Sequence, residues 1–234
     1  MERAIAMKNK NVFLLIVFSL IACILHAVML HTPFNDYLYT SVFKVIVFIF
    51  FPLLYCKVAK DGSFKELLSL FSMKREPKNI RFAFLLGFAV FTFIVIAFVI
   101  LQRFIDQAMV VEALEANAIT PRNAIFVFIY IVVINAALEQ FFFRGFVFMG
   151  LYRMNLKRYA HIYSSLLFSF YHIPILYNAI APAMLILCTI GLIVAGLIFN
   201  ALTVKCKSIS GALIVHISAN LALNMMIGIY FVFA

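Results

Sequence analysis

Residues 82–101 read FAFLLGFAVFTFIVIAFVIL, twenty positions with no charged side chain and with Thr92 as the single hydroxyl. At about 1.5 Å per residue a helix of this length covers about 30 Å, the hydrocarbon thickness of a bilayer. Membrane strands are tilted, need about 10 residues and alternate apolar with polar positions, so a continuous apolar run of twenty excludes them. Working outward, comparable runs fill 11–30, 38–56, 123–150, 159–177, 183–202 and 209–233. The sequence therefore predicts an all-α polytopic membrane protein with about seven transmembrane helices. Between the second and third runs, FKELLSLFSM (64–73) sets Leu67, Leu68, Leu70 and Phe71 against Lys65 and Glu66, the pattern of a short interfacial helix. Thr120 followed by Pro121 is read as the cap and first turn of the fourth span, and Ser208 and Ser210 as caps of the seventh.

Composition agrees: 66% of the 234 residues are hydrophobic types and 12% are charged, about half the charge of a soluble domain. A soluble enzyme and a disordered chain are both excluded. The formal charge of +10 does not indicate nucleic acid, because the basic residues lie between apolar runs and form no stripe with interleaved aromatics. Three precede the first span, none follow it, and seven fall between 57 and 81. Two, three, none and two occupy the later loops, and none the tail. This alternation predicts a multi-pass protein with the N-terminus cytoplasmic and the C-terminus external. Asp106, Glu112 and Glu115 fall in an external loop and read as a solvated linker. Cys23, Cys56, Cys188 and Cys206 lack ligand spacing and read as small hydrophobes. No repeat or second domain is evident, so 1–234 is read as one integral membrane domain.

Ionisable groups inside spans need a partner or a function. Lys44 and His26 lie near span ends, where snorkelling or an interfacial hydrogen bond accounts for them. Others share helical faces: Asn135 with Glu139, Gln140 with Arg144, and His216 with Asn220, each pair four residues apart. Counted at 1.5 Å per residue from the cytoplasmic ends, Glu139, His172 and Asn220 lie about 20 Å deep and His216 about 14 Å. A carboxylate and an imidazole sharing a water can make it a nucleophile, while a second imidazole and an amide stabilise an oxyanion. One Glu and two His could instead hold zinc, with Glu139, His172 and His216 as ligands. Without an HExxH motif, spacing alone does not choose.

Three segments carry a family resemblance: EQFFFRG (139–145), FSFYH (168–172) and HISAN (216–220). In order and spacing they resemble the EExxxR, FxxxH and HxxxN motifs of the CAAX protease and bacteriocin-processing family of intramembrane endopeptidases, also called the Abi family. The resemblance covers about 120–234. It implies cleavage of a peptide or lipidated, CAAX-like substrate in a cell membrane, here a bacterial one, with membrane lipids as surroundings and no nucleic acid. It also implies a water activated by Glu139 and His172, an oxyanion hole from His216 and Asn220, supporting roles for Gln140, Arg144 and Phe168, and no metal cofactor, zinc being the alternative. One position departs from the pattern: Gln140 stands where the second Glu is usual. An amide to guanidinium hydrogen bond with Arg144 is then expected, and a catalytically impaired peptide-binding, immunity or scaffold protein becomes the rival reading.

Overall fold

A computed structural model describes residues 2–34, 36–59, 64–73 and 76–233, and every regular element among them is helical. In chain order these are α1 (Glu2–Met29), α2 (Tyr37–Ala59), α3 (Phe64–Ser69) and α4 (Pro77–Leu101). After a short turn of tighter helix come α5 (Gln107–Ala116), α6 (Ala124–Arg153), α7 (Lys157–Leu176), α8 (Pro182–Cys206) and α9 (Ser210–Phe233). By length and composition, six of these nine are long and apolar enough to cross a membrane.

The seventh expected span exists as α7 but is too polar to count among the six. It carries His161, Ser164, Ser165, Ser169 and His172 within twenty residues. The physical reason is its position: α7 packs on α8, α1 and the second half of α6, and Ser164, Ser165 and Ser169 are fully buried. A helix shielded by other helices spends its hydroxyls on them. Ser164 Oγ donates to Phe143 O on α6 at 2.9 Å, and Asn200 Nδ2 on α8 donates to Ser165 Oγ at 3.1 Å.

α6 is the central post. All residues from Gln140 to Phe148 are buried, so it meets neighbours on every side. Its phenylalanines form an aromatic layer: Phe142 stacks on Phe48 of α2 at 4.0 Å between ring centroids, and Phe143 meets Phe168 of α7 edge-on at 5.3 Å. Around this post α1 pairs with α2, α7 with α8, and α4 with α9.

Three local expectations change. The expected linker contains α5, because Asp106 Oδ1 caps it by accepting the Met109 N–H at 3.3 Å. The α6 cap is a turn rather than Thr120 with Pro121 in the first helical turn. Asn123 Oδ1 accepts the Thr120 N–H at 2.8 Å, and the helix begins at Ala124. The expected interfacial helix ends at Ser69, and the residues after it are tied to the bundle. Leu70 O accepts from Ile209 N at 2.9 Å and from Ser208 Oγ at 2.6 Å, while Phe71 O accepts from Ser210 Oγ at 2.7 Å. Ser208 also caps α9, accepting the Ser210 N–H at 3.0 Å.

Helices α7 and α8 approach closely at Gly196, where an added Cβ would stand 2.9 Å from both Ser165 Cα and Ser165 Cβ. Small residues at such crossings let membrane helices gain contact. Gly196→Val should therefore destabilise the protein by about 1–3 kcal/mol through overpacking. Gly191→Ala, with nothing within 4 Å of the new methyl, should leave stability unchanged or slightly raised. Thermal unfolding of both variants in detergent checks the contrast.

Candidate active site

Glu139 sits on α6 between two stretches of wider helix, Tyr130–Asn135 and Gln140–Phe148. Their backbone bonds reach back five residues, as in Met149 N–H to Arg144 O, and such insertions recur at functional sites because they re-aim side chains. The first stretch also bears on α9: Ile131 O accepts from Asn220 Nδ2 at 3.1 Å.

The structure brings Glu139, His172 and His216 together. Glu139 is 2% exposed, and its Oε2 lies 3.7 Å from Nε2 of His172 on α7 and 3.7 Å from Nε2 of His216 on α9. These distances exceed a hydrogen bond, and Oε2 has no such partner. Each ring is oriented from its other nitrogen. His172 Nδ1 stands 2.7 Å from Phe168 O; a carbonyl only accepts, so Nδ1 carries the proton and a neutral ring presents a bare Nε2 to the site. His216 Nδ1 lies 2.9 Å from Gln140 Nε2. The amide donates, so a neutral His216 holds its proton on Nε2. One ring is thus set to accept a proton and the other to donate one. Asn220 lies one turn beyond His216 with one amide N–H engaged by Ile131 O, leaving its second.

Gln140 does not bond Arg144, contrary to expectation. Its nitrogen faces His216, and its Oε1 has no partner. Arg144 is fully buried and none of its guanidinium nitrogens has a hydrogen-bond partner. Instead the guanidinium carbon lies 4.1 Å from the Phe168 ring centroid and 4.9 Å from that of Phe199, a cation held by aromatic faces. The wide helical stretch separates the two side chains that a regular turn would stack.

The largest difference is Lys44. It does not snorkel; it is 5% exposed, and Nζ donates to Glu139 Oε1 at 2.6 Å and to Asn135 Oδ1. Asn135 Nδ2 also donates to Oε1, at 3.0 Å, and Tyr171 Oη reaches it at 3.5 Å. Neither Lys44 nor Tyr171 is among the site candidates that the sequence offers. The available signal is that a carboxylate at mid-span needs a cation and Lys44 is the only charged residue in 38–56. His26 also differs from expectation: it is buried 5.2 Å from the Tyr171 ring, with Nδ1 unbonded. Among the described residues no group of three His, Cys, Asp or Glu side chains is arranged to hold a metal ion.

Residues 121–222 match the model of the type II CAAX prenyl endopeptidase Rce1-like family. The match spans less than half of the chain. The match takes in Glu139, Gln140, Arg144, Phe168, His172, His216 and Asn220. Lys44 lies outside it, on a helix that precedes the matched segment. No curated protein and no solved structure matches the chain.

Arg144 gives a direct test of the Gln140 substitution. Burying an unpaired cation costs several kcal/mol, so Gln140→Glu, with its carboxylate turned from His216 to Arg144, should raise the melting temperature, by about 2–4 °C for each kcal/mol recovered. Unchanged melting would mean that the aromatic faces already satisfy the guanidinium.

Proposed function

We propose that this protein is an intramembrane endopeptidase that hydrolyses a peptide bond in a peptide or lipidated, CAAX-like substrate. The match of residues 121–222 to the Rce1-like family model supports CAAX-type proteolysis in general. The observation that carries the finer reading is the placing of Glu139 Oε2 at 3.7 Å from two imidazole nitrogens of opposite proton character.

A water hydrogen-bonded to both Glu139 Oε2 and His172 Nε2 gives up a proton to this pair as its oxygen attacks the scissile carbonyl carbon. The carbonyl oxygen becomes an oxyanion that takes hydrogen bonds from His216 Nε2–H and the free N–H of Asn220. Collapse of the tetrahedral species breaks the C–N bond, and the proton held by Glu139 and His172 passes to the leaving nitrogen. The products are a carboxylic acid and an amine, and no covalent enzyme intermediate forms. Phe168 orients His172 through its carbonyl, Gln140 orients His216, and Arg144 braces the aromatic wall. This route uses no metal. The setting is a bacterial cytoplasmic membrane, with the N-terminus inside, the C-terminus outside, and the whole chain acting as one domain.

Gln140 favours a second reading, in which loss of the second carboxylate leaves a site that binds a peptide without cutting it, as an immunity or scaffold protein would. Purified protein incubated with a fluorogenic library of prenylated and leader peptides separates the two. Turnover should appear in the wild type, fall by about 10²–10³-fold or more in Glu139→Ala, and survive chelation. Binding without turnover in both proteins supports the scaffold reading. Stoichiometric zinc with chelator-sensitive turnover would overturn the metal-free route.

A further inference from the structure

We infer that Lys44 is a positioning residue and the resident cation of this site. By holding Glu139 Oε1 it aims Oε2 between the two imidazoles and keeps a divalent metal off the Glu139, His172 and His216 set. The first half of this inference rests on the reading of Glu139 as the base.

The two oxygens of Glu139 have opposite surroundings. Oε1 receives donors from three helices: Lys44 Nζ from α2 at 2.6 Å, Asn135 Nδ2 from α6 at 3.0 Å, and Tyr171 Oη from α7 at 3.5 Å. Oε2 receives none and faces both Nε2 atoms. A carboxylate can swing about its terminal torsion, and the ammonium stops it. The ammonium is itself fixed on other sides, donating to Asn135 Oδ1 and lying 4.9 Å from the Tyr171 ring centroid and 5.6 Å from that of Phe48. This lysine is built in.

The same contact bears on metals. A Glu and two His from different helices are a ligand set that zinc accepts elsewhere. Here the carboxylate's charge is already matched by the ammonium, and a dication bound through Oε2 would share that carboxylate with a fixed positive charge and be repelled by it. His216 meets the Gln140 amide on its outer nitrogen, not the acceptor that usually supports a metal-bound imidazole. Lys44 and Gln140 thus act in the same direction.

The test uses the full chain in detergent as wild type, Lys44→Met, Lys44→Arg, Glu139→Ala and the Lys44→Met/Glu139→Ala double variant, with zinc ion alone as the probe for calorimetric titration of metal-free protein. Lys44→Met should gain a zinc site at least about tenfold tighter than any in the wild type. The double variant should lose that site, and Lys44→Arg should behave as wild type. On a peptide that the wild type cleaves, Lys44→Met should lose about 10²-fold in kcat with KM nearly unchanged, and Lys44→Arg should recover part of it. Equal zinc affinity in wild type and Lys44→Met, or a wild-type kcat in Lys44→Met, overturns the inference. If the wild type cleaves no better than Glu139→Ala, the protease reading fails, and the zinc titration still decides the role of Lys44. Should Lys44→Met not fold, Lys44→Gln, which keeps a donor without the charge, carries the zinc comparison.

Discussion

The constraint on which the rest of the structure depends is a carboxylate enclosed by apolar helices. Glu139 is 2% exposed, and an isolated carboxylate there would cost several kcal/mol. Its ammonium, amide and phenol donors come from α2, α6 and α7, and its two imidazoles from α7 and α9. These helices have to meet at one depth, and their sequence separations make the bundle a long-range assembly. Lys44 and Glu139 are 95 residues apart, and Gln140 and His216 are 76 apart.

α6 meets this demand by departing from regular helical spacing. On one side of Glu139 the wide stretch presents Ile131 O to Asn220 of α9. On the other it sends Gln140 toward His216 and Arg144 into a phenylalanine cage. Two neighbours on paper become members of different layers. The aromatic layer of Phe48, Phe142, Phe143 and Phe168 then supports both the polar centre and the buried cation.

Much of this is legible in the sequence, for identifiable reasons. Uninterrupted apolar length marks a span whatever its partners, so the helices appear at close to their observed limits. Depth counting places Glu139, His172 and His216 in one layer because rise per residue is nearly constant. Bond partners are less legible. The pairing of Gln140 with Arg144 assumes a regular turn, and the wide helical stretch removes that premise. Lys44 reads as a snorkelling residue because a helix taken alone offers its lysine only lipid or interface, and its partner lies on another helix. α7 reads as a span because 159–177 carries no Asp, Glu, Lys or Arg over a bilayer-spanning length. Its polarity comes from burial among α1, α6 and α8.

The Lys44 to Glu139 contact also has a consequence for biogenesis. A ribosome adding about 5–20 residues per second needs about 5–20 s to cover the 95 residues between them. During that interval α2 is made and Lys44 lacks its Glu139 partner. The snorkelling conformation that does not describe the finished protein is the one open to this nascent helix, whose lysine lies within two turns of its start at Tyr37. Arrival of α6 then draws the lysine inward, so late docking of the hairpin formed by α1 and α2 and completion of the polar centre become the same event.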